Sequence, residues 1–287
     1  TCGIIFLYGY IYLYYVCFLQ RHIFCKENKG GIILKEAKAM AFVNAYGVLA
    51  TLENLCQMDD GAKAICKGLK KPVSICFDVA DGPCVTYNFS ADGCKMTEGD
   101  YGCTCKMKFA SPEKFNALID DSKPGIPVKN IPQVLSFLMG PFTKLTNILT
   151  KYLMPSEEDL KNRDFFEKST ILTMYTIGGA ICALANNDSI SKISASYIDD
   201  GDIQMGITDA CYVTIRSRNH KLELIKEKPD TPKAIMEFKT IDLANGLFNG
   251  TVSTIAELCE GNIYMCGMIN MIDNINRILD RVSAYLG

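Results

Sequence analysis

Tryptophan is missing from the 287 residues, and histidine occurs twice, at His22 and His220. So few imidazoles leave little room for histidine-based acid–base catalysis, and His220, followed by Lys221 in a strand-turn stretch, reads as a solvated turn residue. No phosphate-cradling glycine loop, G-x-S-x-G elbow, H-E-x-x-H helix or C-x-x-C pair is present. Charge of one sign is lacking too: 30 basic residues face 32 acidic ones, a formal charge of −2, with no basic or acidic tail. That balance has no electrostatic footprint for nucleic acid. The chain is therefore expected to be no enzyme, to take no cofactor and to bind no nucleic acid.

Cysteine and methionine are plentiful, at 14 and 12 residues. The cysteines are scattered and form no short stapled framework, so they read as reduced thiols of a cytoplasmic protein. Seven fall between Cys56 and Cys105. Cys103 and Cys105 are two apart on an expected strand, where period two aims both sulfurs at one face. A soft metal is one reading of that pair, but no histidine partner lies in this half, and buried or free thiols are the expectation. Asp59-Asp60 and Asp199-Asp200-Gly201 read as solvated or capping turn acids. The Asn-x-Ser/Thr triplets at Asn88, Asn187 and Asn249 carry no meaning in a bacterial cytoplasm.

Residues 1–33 stand apart. Gly3 to Leu19 is uncharged for 17 residues and is followed by Arg21, His22 and Lys26. Three readings stay open: a membrane span at the short limit, translated upstream sequence with the natural start at Leu34, or a buried or interfacial helix. Membrane contact is expected only if this extension belongs to the protein.

Beyond Leu34 the chain repeats itself with a period near 128 residues. "AYGVLATLENLCQMDD" lies on "MYTIGGAICALANNDS", with Tyr46 over Tyr175 and Asp59 over Asp188. "ICFDVADGPCVTY" matches "IQMGITDACYVTI", and "KMKFASPEKFNALIDD" matches "IMEFKTIDLANGLFNG". Near the ends, "FLMGPFTKLTNILTKY" is paired with "YMCGMINMIDNINRIL", placing Gly140 over Gly267 and Leu145 over Ile272. The implied domains are 34–155 and 156–287.

Each unit reads as an apolar-faced helix (35–58; 157–185), a short helix (61–69; 190–197), then strands interrupted by one helix. In the second unit the strands are 203–207, 212–216, 221–225 and 234–239, alternating in polarity and separated by Asp, Asn, Gly or Pro turns. The interrupting helix is 241–248, and a strand over 262–267 leads into a closing helix. Ser156 is expected to cap the second unit's first helix. On the closing helix, Met268, Ile272, Ile275 and Leu279, with Met271, Ile278 and Val282, form one apolar face opposite Asp273, Asn274, Asn276 and Arg277. The fold class expected is α+β, five strands per unit with helices on one side.

These segments resemble the sterol carrier protein 2 (SCP-2) family in both halves. "ICFDVADG", "CTCKMKFASPEKFNALI" and above all "KAIMEFKTIDLANGLFNGTVSTIAELCEGNIYMCGMINMIDNINRIL" carry the resemblance, which covers nearly all of 35–286. It departs where Pro132-Gln133-Val134 replace the glycine that should open the first half's fifth strand. The resemblance implies two five-stranded domains, each enclosing an apolar tunnel for a lipid-like ligand. In the second half the tunnel wall would comprise Met236, Phe238, Met265, Met268, Met271, Ile272, Ile275 and Leu279. The expected partner is a fatty acyl chain or another hydrophobic small molecule. Bulkier Phe137, Phe142 and Leu145 predict a fuller first half, with the larger cavity in the second. The alternative is a structural or regulatory scaffold with filled cores, acting through a protein partner.

Overall fold

Residues 35–119 and 136–286 are described by a computed structural model of the chain. The extension 1–33 and the place of the first half's fifth strand lie outside the described residues.

The protein is α+β, built on two mixed sheets. A helical run over 37–58 (α1) leads into α2 (Asp60–Lys67) and strands β1 (Val73–Val79), β2 (Cys84–Ser90), β3 (Gly93–Glu98) and β4 (Cys105–Phe109). Helix α3 (Pro112–Ile119) follows. Then comes a π-turn, Leu138–Phe142, running into α4 (Thr143–Leu153). The second half has α5 (Arg163–Asn187), α6 (Ser189–Ala195), β5 (Gly201–Ile207), β6 (Cys211–Arg218), β7 (Lys221–Ile225) and β8 (Ala234–Phe238). It closes with α7 (Ile241–Phe248), α8 (Thr254–Cys259), β9 (Ile263–Gly267) and α9 (Ile269–Leu286). The sheets run β3-β2-β1-β4 and β7-β6-β5-β8-β9, with β1 parallel to β4 and β5 parallel to β8.

Matching backbone bonds extend the sequence repeat into three dimensions. The Ala80 N–H donates to Phe109 O at 3.0 Å, and its counterpart at Thr208 donates to Phe238 O at 2.9 Å. Both first hairpins turn through a left-handed aspartate, Asp81 and Asp209, each at φ 57°. At the closing helices, however, the register differs from the sequence pairing. Gly140 sits inside the π-turn rather than ending a strand, whereas Gly267 ends β9 at φ 90° beside Ala234 of β8. Tyr152 donates to Asp59 at 2.9 Å, and Tyr285 donates to Asp188 at 2.7 Å. Those bonds pair Tyr152 with Tyr285, and hence Leu145 with Ile278 rather than Ile272. The two registers differ by six residues, and each sets apolar on apolar because Ile272, Ile275 and Ile278 are all buried on the broad inward face of α9.

Side-chain chemistry explains the helix ends. Asp59, Asn162, Asp188 and Thr240 accept N–H bonds as N-caps of α2, α5, α6 and α7. Ser156 accepts the Asp159 N–H at 3.2 Å but caps no helix, and α5 starts later than the sequence suggests, behind Asn162. Helix α8, absent from the sequence reading, is capped by Ser253. Asn274, expected on the polar side of α9, is buried and donates to Asn270 O at 2.9 Å.

Helices cover one face of each sheet. In each half the first helix serves two cores: Ala39, Met40 and Val43 of α1 pack into the second half's cluster, while Leu172 of α5 packs into the first's. The helices cross where Gly47 meets Gly179; a Cβ on Gly179 would lie 2.9 Å from Gly47 Cα. So close an approach brings the Thr51 and Thr176 hydroxyls to 2.9 Å. Because α5 touches both cores, its stretch from Thr176 to Ala185 is buried on all sides. The helix is long and apolar enough to cross a membrane, yet 78% of its most apolar window is buried inside the protein.

Candidate functional site

The expected wall residues of the second half converge. Met205, Met236 and Met265 are direct register partners across β5, β8 and β9, so three thioethers form a row on the covered face. Met236, Phe238, Met271, Ile272 and Ile275 are buried in one cluster against which Met265 and Leu279 pack. Met268 is the exception: it precedes α9 and is 37% exposed. Met205 was not among the expected residues. Only the parallel pairing of β5 with β8, distant in sequence, brings it into the row.

Beside this row the surface is unusually apolar. No side chain of α8 is buried, and Val252, Ile255 and Leu258 are exposed, Ile255 at 76%. The α8–β9 connection is held by the Asn262 amide, which donates to Glu257 at 2.8 Å.

The first half is filled differently. Phe77 stands where the second half has Met205, and it joins Tyr87, Phe109 and Phe115 at ring separations of 5.7–6.3 Å. Phe137 and Phe142 pack on Phe89 at 5.2 and 5.9 Å, and Leu145 is fully buried. Rings and Leu145 thus fill the space beneath this sheet. A cavity of about 430 Å³ opens in this half. It lies at one end of the sheet, among Val73, Asn88, Phe89, Asp92 and Thr104.

The uncovered faces diverge as well. On the second sheet, Glu237 accepts from Gln204, Thr208 and Tyr212, and Arg216 grips Asp202 through two bonds of 2.8 and 2.7 Å. On the first, the positions matching Gln204 and Tyr212 are Cys76 and Cys84. Cys103 joins them, whereas Cys105 is buried in the core, so the two sulfurs do not share a face as period two suggested. Cys103 lies in the loop before β4, where strand alternation does not hold. Burial pushes the Cys76 and Cys103 thiols up and Cys84 up to about 11, so at neutral pH they carry protons and are poor nucleophiles.

The remaining polar centre is structural. Asp188 is fully buried, caps α6, and receives bonds from Arg281, Tyr285 and Ser191. Burial pushes its carboxyl up, but the guanidinium, the phenol and the Ser191 donors outweigh that and hold it at about 2. The Glu36 N–H donates to Tyr285 at 2.8 Å, tying the start of α1 to the second half.

No protein-family model matches this chain, and no curated protein matches it. The class that the structure itself defines is an α+β protein of two related mixed-sheet units.

Proposed function

We propose that the chain is a tandem protein of the SCP-2 type that binds a hydrophobic ligand, a fatty acyl chain or other lipid, without chemical turnover. The methionine row Met205–Met236–Met265 beneath α9 carries this reading. Unbranched thioethers re-pack around guests of differing shape, and the exposed Val252, Ile255 and Leu258 beside them offer an apolar entrance. Each methylene transferred from water contributes about 0.8 kcal/mol, so an acyl chain needs no polar anchor.

A second reading has its own observation. Met236, Phe238, Met271, Ile272 and Ile275 are each at most 6% exposed, a density that suits a filled scaffold acting through a protein partner. Lipid extraction and native mass spectrometry of the purified chain, with displacement of a fluorescent fatty acid, separate the two. Lipid binding predicts a co-purified guest and weaker uptake by Met265→Trp, whose indole occupies guest volume at a folding cost of about 1–3 kcal/mol. A chain that carries no lipid and displaces no probe is the scaffold.

A further inference from the structure

We propose that Cys76, Cys84, Cys103 and Asp100, on the uncovered face of the first sheet, form a binding site for a thiophilic divalent cation of the Zn²⁺ type. Among the described residues, the Cys76 and Cys103 sulfurs and an Asp100 carboxylate oxygen all lie within 4.8 Å of one another. Cys84 sits diagonally across the β1–β2 ladder from Cys76, and their thiols interact. Three sulfurs and one carboxylate make a four-ligand set suited to a soft tetrahedral ion and unsuited to Ca²⁺ or Mg²⁺, which take oxygen.

The surroundings hold these groups in place. Cys76 is fully buried in mid-strand, under the loop that carries Asp100 and Cys103. That loop is tied at its start by the Gly99 N–H to Cys84 O at 2.8 Å and by the Thr86 hydroxyl to Gly99 O at 2.6 Å. At its end, Ser74 and Thr104 exchange bonds of 3.2 and 2.8 Å. Gly102, at φ 73°, lets the chain turn Cys103 inward. With bonds near 2.3 Å, a tetrahedral ion separates its ligand atoms by about 3.8 Å, so Cys76, Asp100 and Cys103 close by roughly an ångström or less on binding, and Cys84 swings in from its diagonal place on the next strand. Three thiolates and a carboxylate around a divalent ion leave net negative charge. Lys106, at 3.0 Å from Asp100 and 2.8 Å from Asp78, is placed to offset part of it. Each thiol gives its proton to solvent as it ligates, and nothing is oxidised or reduced. The second sheet lacks the set, because Gln204 and Tyr212 occupy the matching places and are committed to Glu237.

The test is Cd²⁺ titration of the reduced, metal-stripped full chain, read by thiolate-to-metal charge-transfer absorption, followed by competition with Zn²⁺. A saturable band that Zn²⁺ displaces is expected. Cys103→Ser, at a half-exposed position, should fold normally and weaken binding by more than about 100-fold, beyond the 10–100-fold usual for an outer-shell partner. Cys84→Ser should lower the band by about one third, since one of three thiolates is lost. The buried pair Cys56 and Cys66, 3.6 Å apart, is the competing sulfur source. A band unchanged in Cys103→Ser, or abolished by Cys56→Ser, overturns the assignment.

Discussion

The two cores share a backbone plan but not a filling. Under matching strands the first half stacks Phe77, Tyr87, Phe109 and Phe115, and the second sets Met205, Met236 and Met265 in a row, with one aromatic contact at Phe238–Phe248. Aromatic rings have few rotamers and interlock, so they define one packing; thioethers have three rotatable bonds and tolerate several. The two halves thus keep the same parallel pairing of first and fourth strands while differing in the side chains beneath it. On the proposed reading, a carrier would hold its guest in only one half.

Truncation should separate the cores most. Phe115→Ala, fully buried among rings, is expected to cost about 3–5 kcal/mol, whereas Met236→Ala should fall at the low end of about 2–5 kcal/mol because its flexible thioether neighbours re-pack into the space. Urea unfolding of both variants checks this; equal losses would mean the methionine core is as tightly specified as the aromatic one.

The capping aspartates give a second contrast. Asp188→Ala strands Arg281 in a largely buried place and should cost about 3–5 kcal/mol, while Asp59→Ala loses a cap and a tyrosine bond, about 1–2 kcal/mol. Thermal melts of the pair decide whether the second half depends more on its buried ion pair.

The helix crossing shared by both halves comes next. Gly179→Ala forces a methyl against Gly47 Cα and the Tyr46 carbonyl, with an expected loss of about 1–3 kcal/mol. Gly47→Ala, whose methyl would sit 3.2 Å from its nearest atoms, should lose less. A reversed order in denaturant melts would place the tightest contact elsewhere.

Acid titration gives the finest resolution. The Asp188 carboxyl is depressed from 3.8 to about 2 in the folded chain, so its contribution is fully present above pH 4 and is lost as pH falls toward 2. The loss amounts to about 2 kcal/mol. Stability measured between pH 5 and 2 should fall more steeply in the wild type than in Asp188→Asn; parallel curves would remove this carboxylate as the acid-sensitive group.

Periodicity and turn residues made the elements legible. Lys221–Ile225 and Ile241–Phe248 match their sequence reading to the residue, and α9's inward face is apart from Met268 and Asn274 the one its spacing indicates. The α+β class and the repeat follow from the same local signals, while Met236, Phe238 and Met265 enter as inward residues only through the family resemblance. What the residues alone did not decide is which faces meet. Hydrophobic spacing reports the apolar side of an element, never the partner that covers it. The row through Met205 depends on β5 pairing with β8 across intervening strands, the crossing at Gly47 and Gly179 on two helices far apart in the chain, and the Cys76–Cys103 cluster on a loop folding back over a strand. Such contacts are set by the balance of packing over the whole molecule, and so they belong to the tertiary structure alone.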